Sequence, residues 1–467
     1  MSELLKKLKS YGKSDIYPFH MPGHKRQLVE STNPYEIDIT EIDGFDNLHH
    51  AEGILLDAQK RAADLYKSEE THFLVNGSTA GILSAISACA SGTILMARNC
   101  HKAAYHAALV RNLQVRYLYP KMQAEYLLNG GISPEDVERE LKEHPEIDTV
   151  MITSPTYDGV VSDVKKIAEV AHRYGKPLIV DEAHGAHFGF HEYFPESSVK
   201  LGADIVIHSL HKTLPSYTQT ALLHVNGSLA DREKLRMFLQ IYQTSSPSYL
   251  LMAGIDECVR FISEEGKEAF AVFAKRLETF YAHKREWKNI RLVDKEIVGD
   301  SHIYDFDRSK LIFSVKDCNI TGNELQERLR KEDRLELEMA AGSYALALTS
   351  LCDIEEGFKR LLFGIQKIDR NLKKSDFPVK DTVTKNEILC TINQAVLSDK
   401  QTVCLKAGEG RVSGEFLYLY PPGIPLLVPG EIISKDLLER LEDYKKAGFD
   451  FQGLEDYTGR TIKVLVE

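Results

Sequence analysis

The sequence predicts an α/β protein built on a mostly parallel sheet, and three features carry that reading. Strand and helix patterns alternate through the middle of the chain, glycine and small residues mark the strand-to-helix turns, and short apolar runs end in polar side chains. Taken in order, Thr71–Val75 reads as a strand that runs into Asn76-Gly77-Ser78-Thr79-Ala80-Gly81 and a small-residue helix from Ile82 to Ala90. The same grammar returns in Thr93–Ala97 followed by helical Ala103–Leu109, and in Thr149–Thr153 followed by helical Lys165–Tyr174. Leu178–Val180 and Asp204–His208 supply further strands. Helices covering both faces of such a sheet leave function to gather at the carboxyl ends of the strands.

Beyond Lys295 the texture changes to charged helices and isolated strands, among them Leu311–Val315 and a helix over Gly322–Lys331. The expected division is an N-terminal arm (1–40), a large domain (41–294), a small α+β domain (295–372), a polar linker with Pro378 (373–385), and a C-terminal α+β domain (386–467). A last helix is expected from Asn386, followed by the turn Tyr420-Pro421-Pro422-Gly423.

The 467 residues are 43% hydrophobic, enough to build sizeable cores. Lys and Arg number 58 against 69 Asp and Glu, a net charge of −11 that opposes binding to nucleic acid or anionic lipid. Apolar runs stop well short of the roughly 18 residues that span a bilayer, so no membrane association is expected. Met1–Ser14 carries lysines but lacks the apolar core of a signal peptide, so export is not expected. Seven scattered cysteines without a C-x-x-C pair fit a reducing cytoplasm rather than a disulfide framework or zinc ribbon.

The chemistry concentrates at Ile207-His208-Ser209-Leu210-His211-Lys212-Thr213, where a strand ends and delivers a lysine to the sheet's carboxyl edge. An amine there can form a Schiff base with an aldehyde cofactor; a solvated surface lysine is the plainer alternative. Asp181 closes the strand Leu178-Ile179-Val180, 31 residues earlier, about one strand–helix–strand unit. Such an anion can keep a pyridine nitrogen protonated, or simply cap a helix. Gly77-Ser78-Thr79 offers backbone N–H groups, two hydroxyls and the positive end of a helix, a common turn that also suits phosphate. The three elements together follow the chain order of pyridoxal-phosphate enzymes with the aspartate-aminotransferase fold, fold type I.

Further motifs sharpen the resemblance: Phe19-His20-Met21-Pro22-Gly23-His24-Lys25, Arg98-Asn99-Cys100-His101-Lys102, Thr156-Tyr157-Asp158-Gly159, Asp181-Glu182-Ala183-His184-Gly185, Ser209-Leu210-His211-Lys212 and Tyr420-Pro421-Pro422-Gly423-Ile424-Pro425. Spread in order over nearly the whole chain, they resemble the Orn/Lys/Arg decarboxylase family, in particular its shorter members without an N-terminal wing domain. The resemblance implies pyridoxal 5'-phosphate as cofactor, Lys212 as its covalent anchor, Asp181 on the pyridine nitrogen and His101 stacked on the ring. It also implies that Ser78, Thr79, Ser209 and His211 hold the phosphate. His184 stands where longer members often carry a bulky aromatic. The implied reaction is decarboxylation of a basic amino acid, with arginine to agmatine, feeding polyamine synthesis, ahead of lysine or ornithine. At least a homodimer is implied, with the site at the subunit interface.

Other readings carry less. Asp181-Glu182-Ala183-His184 spells a helicase box, but the only Gly-Lys-Ser, Gly12-Lys13-Ser14, lacks the upstream glycine of a P-loop. His184, His187 and His191 lack the spacing of a metal helix, so no metal is expected. His49 and His50 lie either at a cleft or in a plain polar loop. For the substrate's distal cation the candidate acids are Asp43, Asp46 and Glu431; Arg411 is either a carboxylate clamp or structural. A catalytically silent regulatory relative is an alternative that Lys212, Asp181 and His101 speak against; an aminotransferase or a side-chain lyase would use the same cofactor chemistry, and a carboxylate clamp such as Arg411 would mark the aminotransferase.

Overall fold

Alternation along the central strands sorts apolar side chains onto two faces and fixes which helices cover each. The computed structural model describes residues 2–27, 33–375, 385–420, 424–446 and 450–466. Its main sheet has seven strands: Glu70–Leu74 (β1), Thr93–Ala97 (β2), Gln114–Leu118 (β3), Ile147–Thr153 (β4), Leu178–Asp181 (β5), Ile205–His208 (β6) and Ala221–Val225 (β7). In space they run β1-β7-β6-β5-β4-β2-β3, and β7 is antiparallel to both of its neighbours. Leu74, Ile207 and Leu223 pack on one face with Ile82 and Ile86 of the Gly77–Cys89 helix and Phe238 of the Arg232–Tyr242 helix. Phe73, Val75 and Leu222 face the other way, toward the Ile54–Tyr66 helix and the 34-residue helix Tyr249–Ala282.

The small domain is a four-stranded antiparallel sheet (Arg291–Leu292, Lys310–Ser314, Tyr344–Leu348, Met339–Ala340) with the helices Gly322–Glu332 and Glu355–Asp369. Chain before residue 40 is stitched into this unit: Tyr17–Phe19 pairs in parallel with Leu335–Leu337. Gly23 then lies against the segment that carries Lys212. Its N–H donates to the His211 carbonyl at 2.7 Å, and a Cβ at this position would meet the Leu214 nitrogen at 2.9 Å. Lys25, buried, donates to the carbonyls of Leu348 and His20 at 2.7 and 3.0 Å.

The C-terminal residues form a separate core of Leu417, Leu427, Ile433, Leu437 and Leu441. Asn386 does not start a helix. Its amide donates to the Leu426 carbonyl and to Glu431, Ile388 bridges to Glu431, and helix begins only at Ile392, where Thr391 and Gln394 form a capping box. Most of the expected linker, 376–384, and Pro421–Gly423 of the expected turn lie outside the described residues.

Candidate functional site

The carboxyl ends of β4, β5 and β6 are level with one another, because Thr153 pairs with Asp181 and Asp181 with Ile207. The loops that leave these strands therefore meet in one place. Lys212 sits in the short turn of helix Leu210–Thr213 after β6. With Asp181, His101, His184 and Ser78 it lines a single cavity.

Asp181 is buried and its Oδ1 accepts the Ala183 N–H at 3.1 Å. Burial pushes its carboxyl above the usual range, and the charge of Lys212 pulls the other way. Burial likewise lowers the Lys212 amine, while Asp181 and Glu338 favour its charged form. Lys212 Nζ lies 3.1 Å from His184 Nε2, and Lys310 Nζ lies 3.5 Å from His184 Nδ1. Burial first, then the two lysine charges, hold His184 neutral. The Tyr157 ring packs 4.7 Å from His184, and its hydroxyl donates to Glu338, whose second oxygen accepts the Met21 N–H at 2.7 Å.

His101 caps the Lys102–Arg111 helix through Nδ1, which accepts the Ala103 N–H at 3.2 Å, and it leaves a face open toward the cavity. Neighbouring protein atoms, then the Lys212 charge, lower its pKa although the residue is solvent-exposed, which favours the neutral ring. At the start of the Gly77–Cys89 helix, Gly77 takes φ +72°, and Ser209 Oγ donates to Ser78 Oγ at 2.9 Å. Two hydroxyls thus converge on a helix N-terminus, a setting that favours anions. Thr79 is exposed on the same turn. His211 commits Nδ1 to the Thr220 carbonyl at 3.0 Å.

On the opposite side of the sheet Glu182 is buried, accepts from Ser197 at 2.8 Å and lies 2.7 Å from His208 Nε2. Burial raises its pKa to about 8. Glu182 and His208 tie the ends of β5 and β6, which carry Asp181 and Ser209, from beneath.

The residues named for the substrate's far end lie elsewhere. The Asp46 carboxylate accepts the N–H groups of Glu52, Gly53 and Leu55 and so caps the Ile54–Tyr66 helix. Glu431 is buried against Arg98, with Nη2–Oε2 at 3.1 Å, and also accepts from Asn386 and Val428. Arg411 donates to the Leu465 carbonyl at 3.0 Å inside the C-terminal domain, so it is structural there rather than a clamp at the cavity. Asp43 is exposed on a loop. His49 approaches the Thr244 carbonyl at 2.7 Å, and His187 is committed to Asp307 at 3.2 Å. Among the described residues no group of three or more His, Cys, Asp or Glu is arranged to hold a metal.

Sequence reasoning missed Lys310 and Glu338. Lys310 opens an apolar strand and reads as a solvated end, yet it is wholly buried. A hint lay in Gly159, at φ +94°, where a Cβ would come within 2.9 Å of Lys310 Cγ. Glu338 comes directly after the short strand Leu335–Leu337 and carries no local signal.

Comparison with known proteins agrees with this geometry. The model of the Orn/Lys/Arg decarboxylase major domain matches residues 2–321, and that of the family's C-terminal domain matches residues 383–460. Arginine decarboxylase of Bacillus subtilis is 32% identical over 475 residues, covering 98% of this chain and 97% of that protein. The structure of Francisella novicida lysine decarboxylase LdcF superposes with a TM-score of 0.76 at 19% identity, over 99% of this chain and 81% of that one. Sphingomonas wittichii serine palmitoyltransferase shares the fold over 71% of this chain and 80% of its own, with a TM-score of 0.55 at 17% identity. The fold is thus the fold type I of pyridoxal-phosphate enzymes, with a C-terminal domain added. With both of its domain models matched in order along the chain, the protein is a decarboxylase and belongs to the Orn/Lys/Arg decarboxylase family.

Proposed function

We propose that the chain decarboxylates arginine to agmatine and carbon dioxide with pyridoxal 5'-phosphate anchored on Lys212. The observation that carries the reading is the meeting of the Lys212 amine, the buried Asp181 carboxylate and the Ser78 hydroxyl in one cavity. The donor set suits the group: an amine for its aldehyde, an anion for its ring nitrogen, and the Ser78 and Ser209 hydroxyls, with Thr79 and His211 beside them, for its phosphate. When bound, the cofactor supplies a carbonyl for amines and a sink for the electrons released as carbon dioxide leaves. Asp181 keeps a positive charge opposite its carboxylate and so favours that flow. The open face of His101 would give the cofactor's flat ring a surface to lie against. Burial around the cavity disfavours a charged carboxylate relative to its neutral product. Lys212 Nζ, once released, is placed to return a proton.

Arginine is supported by three relatives that each cover 98% of this chain at 31–32% identity and are named arginine decarboxylase. The test is carbon dioxide release from arginine, lysine and ornithine, with an aromatic and an acidic amino acid as controls, and borohydride reduction followed by peptide mapping. Release from arginine and label on Lys212 are expected. Release from lysine alone would remove arginine, label on another lysine would remove Lys212, and release from none would leave a silent relative.

We also propose at least a homodimer. Tyr35, Ile42 and Phe45 are 89%, 51% and 45% exposed on one segment, and Tyr217, close after Lys212, is 56% exposed, apolar surface that a second copy would cover. Sedimentation at low concentration is expected to show the dimer; a fully active monomer would refute it. Among the described residues no helix is long and apolar enough to cross a membrane. The seven free, scattered cysteines support a reducing cytoplasm as the location.

A further inference from the structure

Two lysines flank one imidazole at the site, and the second, Lys310, is not among the residues assigned above to the cofactor. Lys310 lies at the start of a small-domain strand, wholly buried, beside Gly159 and across from Leu348. Its Nζ lies 3.5 Å from His184 Nδ1, and the other ring nitrogen, Nε2, lies 3.1 Å from Lys212 Nζ. A buried ammonium without a tight counterion is costly, so a lysine retained there calls for a physical reason.

We propose that Lys310 is a proton acceptor for Lys212, with His184 as the relay, so that the anchoring amine becomes a nucleophile without contact with bulk water. The step balances. The Lys212 ammonium gives one proton to His184 Nε2 as His184 Nδ1 passes its own to the neutral Lys310 Nζ. Lys212 ends as a free amine, Lys310 ends as an ammonium, and the neutral imidazole has changed tautomer. The reverse passage recharges Lys212. His184 suits the task because it is neutral, with one nitrogen free to accept and the other to donate. The groups that act on Lys310 are Asp307 and Glu338, which favour its charge, and Lys212 and Lys25, which oppose it; Asp158 is felt from the neighbouring loop. Burial outweighs them and brings the amine down to about 8, so both of its forms exist near neutral pH.

The proposal rests on Lys212 being the anchor, and the experiment separates the two. Apoprotein is mixed with pyridoxal phosphate from about pH 6 to about pH 10, below the ordinary lysine value, and the bond to Lys212 is followed by its long-wavelength absorbance. Lys310→Met is expected to move the pH profile of that rate upward by about one unit, which is about tenfold slower near neutrality, and to match the wild type at the alkaline end. Lys310→Arg keeps a cation that cannot accept a proton, and His184→Gln keeps hydrogen bonding without tautomer exchange. Both should reproduce the shift, and Lys310→Met combined with His184→Gln should add nothing further. Thermal melting confirms that each variant is folded. Superimposable profiles, or a rate lowered by the same factor at every pH, would overturn the relay. Borohydride label on a lysine other than Lys212 would instead overturn the anchor.

Discussion

Replacing Asp181 by Asn is expected to lower kcat by about three orders of magnitude, roughly 4 kcal/mol of barrier, while the cofactor stays bound. Asn has the shape of Asp and can still accept the Ala183 N–H that Oδ1 takes at 3.1 Å. What it loses is charge. Burial makes the lone carboxylate unfavourable and raises its pKa, so the environment favours a positive group opposite it. A protonated ring nitrogen is such a group, and it is also the state of the cofactor that accepts electrons best. Asn leaves the nitrogen unprotonated, yet Lys212, Ser78 and Ser209 still offer their contacts to the aldehyde and the phosphate. The check is kcat at saturating arginine beside cofactor content read by absorbance. Near-normal kcat would show that Asp181 does not face the ring nitrogen, and loss of cofactor with loss of rate would make it a binding residue instead.

The same residues show how far the sequence could be read. Lys212, Asp181 and Ser78 were legible because each ends or succeeds an apolar run, and a parallel sheet brings such ends to one edge. Direction was harder. Ala221–Val225 is an apolar run like its neighbours, and nothing in its period says that it lies antiparallel between β1 and β6. Asp46 shows a second blind spot, since its role as a cap depends on a loop turning back on residues 52–55. Lys310 shows a third: a charge at a strand end is usually solvated, and only the packing of Gly159 and His184 around it makes it part of the site. Glu431 shows the distance involved, because its partner Arg98 is 333 residues away and in another domain.

That pair sets the second large effect. Arg98 and Glu431 are both buried, with side chains 5% and 2% exposed, and Arg98 also lies over the Tyr117 ring at 4.9 Å and donates to the Tyr105 hydroxyl at 2.9 Å. Because Arg98 begins the loop that ends at His101, the C-terminal domain is fastened directly to a wall of the cavity. Glu431→Gln leaves a guanidinium buried without its anion, and a loss of about 3 kcal/mol is expected near neutral pH, with no relief in mild acid because arginine does not give up its proton. Arg98→Met strands a carboxylate instead, and a carboxylate can neutralise itself. Burial already raises the Glu431 pKa, with Arg98 opposing; without Arg98 the rise is greater. An acid whose pKa is raised on folding binds more protons in the folded state, so its destabilising effect grows as pH rises from the unfolded value through the folded one and is relieved as pH falls. The cost of Arg98→Met should therefore shrink in mild acid, whereas that of Glu431→Gln should not. Urea unfolding at two pH values measures both, and hydrogen exchange at the Val428 amide, which donates to Glu431 at 3.0 Å, reports the pair itself. Equal pH dependence in the two variants would mean that the pair is not the buried charge couple its geometry describes, since only one of its members can discharge itself.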